Sequence, residues 1–316
     1  MRERWVPALG RAVGAVGLGC VGMSAEYRPA DIDDEQSLRV LARALELGVS
    51  MFDTADVYGP FTNERLVGQG LRGRAGEVVI STKTGLVIDN ATGRSRPRGD
   101  PAHIKASCDA SLRRLGVDVI DLYYLHRVDP AVPLEVSWDA MADLVLAGKV
   151  RAVGLSEVTA AEAAVAHAIY RVAAIQSELS LWTRGPLDEV VPWCLANGAV
   201  FAAYAPLGRG YLTGTVRSAV FQADDIRSGN PRFTGGAIER NQAILAVIDR
   251  VARRHDASLA QVSIAWVLAQ GEHVVPIPGT KQVHYLEENC RAAELDLGAG
   301  DLAELDAIPE AAGDRY

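Results

Sequence analysis

The chain has 316 residues, of which 49% are apolar, 6% aromatic and 23% charged, and its net charge is −8. This acidic balance gives no electrostatic reason to expect binding to nucleic acid or to an anionic membrane. No apolar run reaches the ~18 residues of a membrane-spanning helix, and the opening stretch MRERWVPALGRAVG lacks the apolar segment of a signal peptide. The 4 cysteines are far apart, so we expect neither a disulfide framework nor a metal site. These features predict a soluble cytoplasmic protein.

Short runs rich in Val and Ile alternate with longer amphipathic segments along the chain. The predicted strands are 16–19, 51–53, 78–83, 119–126, 152–156, 174–177, 200–204 and 274–276. The predicted helices are 33–48, 101–116, 133–147, 159–167, 187–197, 239–254, 258–270 and 283–293, and 213–236 is predicted to be a long loop. This order predicts an α/β protein, a single-domain (β/α)8 TIM barrel spanning residues 1–316. A doubly wound sheet is the alternative.

The first predicted strand lies in the stretch AVGLGCVGMS, where Gly17, Gly19 and Gly22 spell G-x-G-x-x-G. A Rossmann turn needs a helix to begin at the last of these glycines, because the pyrophosphate sits at that helix N-terminus. Here a polar loop containing Pro29 follows, and the next predicted helix begins near Asp33. The glycines therefore indicate a close approach of the backbone to another group rather than a Rossmann turn.

Polar residues follow the C-terminal ends of the predicted strands, which is where barrel enzymes place their chemistry. Asp53 ends the second strand, with Tyr58 shortly after it, Lys83 ends the third and His126 the fourth. Singly, these residues have ordinary alternatives, such as a helix N-cap for the aspartate, a solvated rim charge for the lysine or a packed turn residue for the tyrosine. The later strand ends carry Ser156, Glu157, Gln176, Tyr204, Gly279, Thr280 and Lys281.

The side chains of Asp53, Tyr58, Lys83 and His126 can act together in one reaction. An ammonium beside a phenol lowers the phenol pKa from its reference value of about 10. The carboxylate of Asp53 can hold Lys83 in place, and His126 can orient a carbonyl group or share the proton. Such a set can donate a proton to a developing alkoxide. Since no side chain supplies a hydride, a nicotinamide cofactor would have to provide it.

Six segments in chain order resemble the successive sequence blocks of the aldo-keto reductases: FDTADVYG, STKTG, DLYYLHRVD, AVGLSE, YAPLGRGYLTG and VVPIPGTKQVHYLEEN. The variants LHR, GLSE and SLWTR resemble most the branch that includes perakine reductase. The resemblance implies a (β/α)8 barrel that binds NADPH without a Rossmann fold and reduces an aldehyde or ketone to an alcohol. It implies Tyr58 as the general acid, assisted by Lys83, Asp53 and His126.

The same resemblance implies the residues that bind NADPH. Gly19 would lie near the nicotinamide, Tyr204 would stack on its ring, and Ser156 and Gln176 would hold its carboxamide. The expected contacts from the pyrophosphate to the adenine are Pro206, Leu207, Gly208, Gly210, Gly279, Thr280, Lys281, Glu288 and Asn289. Where near relatives carry phosphate-binding arginines, this chain has Gln282 and Tyr285, so we expect a reduced preference for NADPH over NADH.

Loops build the substrate pocket of such a barrel. The expected pocket residues are Val57, Arg127 and Trp182, together with Tyr27 and the 213–236 loop. The expected partner is a small-molecule carbonyl compound such as a secondary metabolite or a keto sugar, and the sequence carries no indication of oligomeric state. The family's barrel also serves as the β subunit of potassium channels, so a cofactor-binding regulatory or sensor subunit is the alternative function.

Overall fold

The computed structural model describes residues 1–89, 94–218 and 220–315. Its strands are β1 (Glu3–Val6), β2 (Arg11–Gly14), β3 (Leu18–Gly19), β4 (Met51–Asp53), β5 (Val79–Thr84), β6 (Leu86–Ile88), β7 (Ser95–Pro97), β8 (Ile120–Leu125), β9 (Val150–Ser156), β10 (Ala174–Glu178), β11 (Val200–Tyr204) and β12 (Val274–Pro276). Its α-helices are α1 (Asp34–Glu46), α2 (Thr62–Gly70), α3 (Pro101–Leu115), α4 (Leu134–Leu146), α5 (Ala160–Ile169), α6 (Val190–Ala196), α7 (Ala237–Arg240), α8 (Gln242–Arg254), α9 (Leu259–Leu268), α10 (Val283–Arg291) and α11 (Ala299–Asp306). From β3 onwards, strands and helices alternate along most of the chain, as the sequence predicts.

Eight parallel strands form one sheet in the order β3–β4–β5–β8–β9–β10–β11–β12. The two edges of this sheet meet, because the backbone nitrogen of Gly17 donates to the carbonyl oxygen of Pro276 at 2.9 Å and that of Gly19 to Pro278 at 3.3 Å. A Cβ atom at Gly19 would lie 2.8 Å from the carbonyl oxygen of Ile277, so the contact requires glycine. The predicted (β/α)8 barrel is confirmed, and the doubly wound alternative, which has open edges, is wrong.

Local sequence signals explain where several helices begin and end. The side chain of Asp33 accepts from the backbone nitrogen at position 36 before α1, and that of Asp100 accepts from position 103 before α3. Helix α3 also has Pro101 in its first turn and ends at Gly116, whose φ of +68° is the usual helix-terminating conformation. Capping boxes begin two further helices, at Thr159 for α5 and at Ser258 for α9.

Four features of the fold are absent from the sequence prediction: the hairpins β1–β2 and β6–β7 and the helices α2 and α11. The β1–β2 hairpin covers the end of the barrel where the strands begin, and there Val6 and Val13 pack with Met51 and other barrel side chains. Helix α2 contains two glycines, which are poor helix formers. A Cβ atom at Gly68 would overlap the carbonyl group of Leu115 in α3, so the glycine lets these two helices approach closely.

The core between the strands and the outer helices is anchored by two fully buried tryptophans, Trp138 in α4 and Trp266 in α9. Each indole nitrogen has a partner: Trp138 donates to the carbonyl oxygen of Tyr170 at 2.9 Å, and Trp266 to the Asp306 carboxylate of α11 at 2.7 Å. Within the described ranges, no helix combines the length and the apolar character needed to cross a bilayer.

The segment 213–236 is predicted to be a long loop. In its described residues, the helical elements are the last residue of the 3-10 turn Gly208–Thr213 and a second short 3-10 turn, Pro231–Phe233. Position 219 lies outside the described residues. The loop follows β11 at the end of the barrel where the other strand ends also lie, so it is placed to shape whatever binds there.

Candidate active site

The four polar side chains predicted at the strand ends come together in the structure. The ammonium of Lys83 lies 2.5 Å from a carboxylate oxygen of Asp53, 2.7 Å from the carbonyl oxygen of Thr54 and 3.3 Å from the phenol oxygen of Tyr58. The rings of Tyr58 and His126 pack edge to face, with centroids 6.0 Å apart. Lys83 is fully buried, and Asp53 and His126 nearly so. Asp53, Lys83 and Tyr58 are therefore joined by hydrogen bonds through the lysine, and His126 packs against the phenol ring.

Further hydrogen bonds fix the carboxylate of Asp53. Its second oxygen accepts from the hydroxyl of Ser81 and from the side-chain nitrogen of Gln176, each at 2.8 Å. Ser81 lies in β5, which is next to β4 in the sheet, and Gln176 lies in β10, on the opposite side of the barrel from β4. Because a buried carboxylate is stable only when its oxygens are bonded, this arrangement locks Asp53, and through it Lys83, in one orientation.

The pKa of Tyr58 departs from the sequence expectation. Burial, followed by the carboxylates of Asp53 and Glu26, raises the pKa of Tyr58 well above its usual value, although Arg127 acts in the opposite direction. The predicted lowering by the lysine ammonium is therefore wrong for this arrangement, since burial outweighs the nearby cation. Tyr58 holds its proton at neutral pH, which is the form that a proton donor needs.

His126 is held neutral by its surroundings. Burial, and then the cations Lys83 and Arg127, keep the pKa of His126 well below its usual range. Its Nδ1 atom is buried and has no hydrogen-bond partner among the described residues. A neutral imidazole carries one N–H and one bare nitrogen, so the ring can donate a hydrogen bond without adding a charge to the site.

Asp53, Tyr58 and His126 line one part of a cavity of about 830 Å³. Most of the residues predicted for the cofactor and the substrate line it. The predicted residues in its wall are Gly19, Asp53, Val57, Tyr58, His126, Arg127, Ser156, Gln176, Tyr204, Pro206, Leu207, Gly210, Gly279, Thr280, Lys281, Glu288 and Asn289. Tyr27, Ile226 and Arg227 also line it, so the long loop contributes to the wall as expected.

Three predicted residues do not line this cavity: Lys83, Gly208 and Trp182. Lys83 lies behind Tyr58, as its contacts require. Trp182 is buried beneath the long loop, where its ring stacks on Tyr211 with centroids 4.9 Å apart. Gly208 has a φ of +55°, and a Cβ atom there would lie 2.6 Å from the indole of Trp182. The structure thus shows packing contacts, not a cavity surface, at positions 182 and 208.

Three segments that follow barrel strands meet at the wall of the cavity. The backbone nitrogen of Ile226 donates to the carbonyl oxygen of Glu26 at 2.9 Å, and that of Arg28 donates to the Asp225 carboxylate at 3.1 Å. Lys281 donates to the carbonyl oxygen of Arg28 at 3.1 Å. The segment after β3, the long loop and the segment after β12 are therefore joined around this part of the cavity.

The structure reveals cavity residues that sequence reasoning missed. Glu26, Arg28 and Arg209 line the cavity, and so do Leu86 and Ile88 of the unpredicted strand β6. The missed charged residues lie in loops, where the sequence has no periodicity to place them. A signal was available for Arg209, since it lies between two glycines of the recognised segment YAPLGRGYLTG, and its φ of +56° is unusual for a residue other than glycine.

Comparisons with known proteins agree with this architecture. The sequence profile described as "Aldo/keto reductase family" matches residues 15–310. The structure is similar to a glycerol dehydrogenase from Gluconobacter oxydans, with 28% identity, a TM-score of 0.88, and coverage of 97% of this chain and 94% of that one. It is similar to an aldo-keto reductase from Klebsiella pneumoniae in complex with NADPH, with 26% identity, a TM-score of 0.76, and coverage of 98% and 96%.

An aldo-keto reductase from Bacillus halodurans supports the fold alone, with 24% identity, a TM-score of 0.79, and coverage of 99% of this chain and 98% of that one. The family profile covers the barrel from before β3 to beyond α11. The resemblance first indicated by the six sequence segments therefore extends over the whole barrel. The chain belongs to the aldo/keto reductase family of oxidoreductases.

Proposed function

We propose that this protein is an NADPH-dependent carbonyl reductase that converts an aldehyde or ketone to an alcohol, with Tyr58 as the general acid. The observation that carries the proposal is the chain of contacts from Asp53 through Lys83 to Tyr58, beside a neutral His126, in the wall of a large cavity. When bound, NADPH supplies the hydride that no side chain can provide.

The hydrogen bonds of Lys83 support a proton donor role for Tyr58. An ammonium has three N–H groups, and those of Lys83 serve Asp53, the carbonyl oxygen of Thr54 and the phenol oxygen of Tyr58. Since the phenol oxygen accepts from Lys83, its own hydrogen is left for another acceptor. A substrate carbonyl oxygen in the cavity would take that hydrogen bond, and the ammonium would stabilise the phenolate left after proton transfer.

His126 complements Tyr58 as a second donor to the same oxygen. Burial, and then the positive charges of Lys83 and Arg127, disfavour a protonated histidine and hold the pKa of His126 low. A neutral ring donates one hydrogen bond, which would orient the carbonyl group for reduction. Arg127 is bonded to the carbonyl oxygen of His126 at 2.6 Å and to the Ser156 hydroxyl at 3.2 Å, so it braces this wall.

The residues present fit a nicotinamide cofactor. Gln176 uses its amide nitrogen on Asp53, which leaves its carbonyl oxygen as an acceptor. Ser156 accepts from Arg127, which leaves its hydroxyl hydrogen as a donor. A carboxamide has both an acceptor and donors, so this pair complements it, while Tyr204 offers a ring for stacking. Gly19 would give the nicotinamide room at the end of β3.

The cations at another part of the cavity suit the phosphates of NADPH. Lys281 is joined there by Arg28, which was not expected from the sequence, and by Arg227 of the long loop. Arg28 pairs with Asp31 and Arg227 with Asp225. Pro206, Leu207 and Gly210 would line the pyrophosphate, with Glu288 and Asn289 near the adenine. The NADPH complex of the Klebsiella pneumoniae relative favours the same cofactor here. These arginines support NADPH despite Gln282 and Tyr285.

Within the family, we place the protein nearest the branch that includes perakine reductase, on the segments LHR, GLSE and SLWTR. The substrate is a small carbonyl compound bounded by Val57 and Arg127, with the apolar side chains of β6 nearby. The alternative, a regulatory subunit like the potassium-channel β subunits, is less favoured because the similar structures described above include a dehydrogenase and reductases.

The test is NADPH consumption by the wild-type protein and Tyr58→Phe, measured over a panel of aldehydes, ketones and keto sugars. We expect turnover in the wild type and its loss in Tyr58→Phe, with NADPH binding retained. A fully active Tyr58→Phe would overturn the role of Tyr58. Tight NADPH binding without turnover of any compound, together with a stable co-purifying protein partner, would favour the regulatory subunit instead.

A further inference from the structure

Two glutamates from neighbouring strand ends share one arginine. Glu157 directly follows β9 and Glu178 ends β10, and the backbone nitrogen of Glu178 donates to the Glu157 carboxylate at 3.0 Å. The guanidinium of Arg315 bonds both oxygens of Glu157, at 2.6 and 2.7 Å, and Glu178 at 2.8 Å. Glu178 is fully buried. Because two adjacent carboxylates repel each other, Arg315 offsets their repulsion, and Arg209 and Arg232 also lie within 3.4 and 3.7 Å of Glu178.

The segment that carries Arg315 is itself held in place by the region around the long loop. Asn241 bonds the backbone nitrogen of Ala312 at 2.7 Å and its carbonyl oxygen at 3.1 Å. Asn230 donates to the carbonyl oxygen of Arg315 at 2.9 Å. Gly313 has a φ of +89°, and a Cβ atom there would lie 2.5 Å from a backbone carbonyl oxygen of the loop. The guanidinium therefore projects from a backbone that is fixed independently.

The same guanidinium contacts Tyr204. Its Nη2 atom donates to the Tyr204 phenol oxygen at 2.6 Å, and its carbon lies 5.8 Å from the centroid of the ring. The two glutamates also adjoin the proposed carboxamide site, since Glu157 directly follows Ser156 and Glu178 lies two residues after Gln176. Every acceptor of the Arg315 guanidinium described here is thus part of, or next to, the proposed nicotinamide site.

We propose that Arg315 is a positioning residue for the cofactor: by joining Glu157, Glu178 and Tyr204, it fixes the stacking ring and the two strand ends that hold the carboxamide. The inference rests on the function proposed above and adds a residue that no motif indicated. A phenol ring that is hydrogen-bonded at its oxygen keeps its orientation in the absence of the cofactor. Binding of the cofactor then costs less conformational entropy.

The experiment compares Arg315→Ala and Arg315→Lys with the wild type, measuring the Kd of NADPH by fluorescence titration and kcat with the best substrate. We expect Arg315→Ala to raise the Kd about tenfold and to lower kcat, because a displaced ring and carboxamide site misplace the nicotinamide. Arg315→Lys keeps the charge without the planar fork of donors, so its effect is expected to be intermediate. If Arg315→Ala does not fold, the Kd of NADPH and the kcat of Arg315→Lys are compared with those of the wild type instead.

Arg184→Ala is the matched structural control. Arg184 also bonds the C-terminal region, through the carbonyl oxygens of Leu305 and Asp306, and its contacts within the described ranges lie outside the proposed cofactor site. We expect this variant to lower the melting temperature while leaving the Kd of NADPH unchanged. If Arg315→Ala shows only that pattern, Arg315 is a structural residue and the proposal is overturned.

Tyr204→Phe tests the route of the effect, since it removes the phenol oxygen and keeps the ring. If Arg315 acts through Tyr204, replacing it by alanine in the Tyr204→Phe background changes the Kd much less than in the wild type. An undiminished effect in that background would overturn the positioning of Tyr204. Failure of the wild type to bind NADPH would overturn the proposed function and this inference together, whereas tight wild-type binding with an unaffected Arg315→Ala removes this inference alone.

Discussion

The ammonium of Lys83 donates to the phenol oxygen of Tyr58 at 3.3 Å from a side chain that has no exposure to solvent. A cation in such a place is stable only because the carboxylate of Asp53 lies 2.5 Å away. Lys83 and Asp53, which we propose assist proton transfer, are therefore also needed for the stability of the fold. Losses of activity and of stability at these two residues have to be measured separately.

Replacing Lys83 by methionine is expected to cause both losses. Activity should fall by a factor of at least about 100, as is usual when general acid catalysis is removed. The free energy of unfolding should fall by about 3 kcal/mol or more, because the buried Asp53 carboxylate is left unpaired. Urea unfolding and NADPH oxidation measure the two effects.

The double variant Asp53→Asn/Lys83→Met serves as the control for this prediction. It removes the unpaired charge, so much of the lost stability should return while activity stays absent. A single Lys83→Met variant as stable as the wild type would show that the buried pair contributes nothing to the fold.

A second prediction concerns Asp56 and pH. Burial, and then the charge of Glu64, raises the pKa of Asp56 to about 8. The unfolded carboxyl has a pKa near 4, so between about pH 4 and pH 8 the folded chain retains a proton that the unfolded chain releases. Stability therefore decreases as pH rises through this range. Asp56→Asn should remove this contribution and raise the free energy of unfolding at pH 8 by on the order of 5 kcal/mol.

Urea unfolding of both proteins at pH 5 and pH 8 provides the measurement. The difference between variant and wild type isolates Asp56 from other titrating groups, His126 included. Asp139→Asn, on the exposed surface of α4, is the matched control for the same substitution at a position outside the candidate site. Equal pH dependence in Asp56→Asn and the wild type would contradict the prediction.

Gly208→Ala is expected to disturb the packing beneath the long loop. The new methyl group would lie 2.6 Å from the indole of Trp182, at a backbone with a φ of +55°. Both the overlap and the left-handed backbone are unfavourable, so we expect a loss of about 2 kcal/mol and a changed near-ultraviolet circular dichroism signal from the Trp182–Tyr211 stack. At Gly229 a Cβ atom meets nothing within 4 Å, so Gly229→Ala should change stability by less than about 1 kcal/mol. Equal effects at the two positions would refute the packing role.

Lys281→Ala tests the cofactor preference. Lys281 shares its part of the cavity with Arg28 and Arg227, and we expect the 2′-phosphate to be the phosphate of NADPH that binds there. Loss of one charged contact to a phosphate should raise the Kd of NADPH about tenfold, while the Kd of NADH, which lacks that phosphate, changes much less. Lys105→Ala removes an exposed lysine paired with Asp143 and is the control. Equal weakening of both cofactors would place the 2′-phosphate elsewhere.

The sequence predicted the barrel well because its strands are short apolar runs with sharp ends. The bounds 51–53, 200–204 and 274–276 are those of β4, β11 and β12. The two hairpins escaped prediction because three of their four strands, ERWV, RAVG and SRP, contain charged residues instead of a continuous apolar run. Helix α2 was missed because glycines needed for helix packing weaken its helical pattern.

For the candidate site, the sequence indicates residues that lie at strand ends, but it does not indicate contacts that form only in the folded chain. Strand order places Asp53, Lys83 and His126 on one rim once a barrel is assumed. Nothing in a single sequence pairs Arg315 with Glu157, which are 158 positions apart. Nor does proximity of Lys83 to Tyr58 reveal that burial dominates the phenol pKa, because burial is a property of the assembled cavity.

The closure of the barrel through Gly17 and Gly19 has a consequence for how the protein is made. These residues bond Pro276 and Pro278, about 260 positions later in the chain. During synthesis, β3 can pair with β12 only after the residues between them have left the ribosome. Contacts of such long sequence separation form slowly, so we expect this pairing to be among the last to form, and an unpaired sheet edge can associate with other chains until it does.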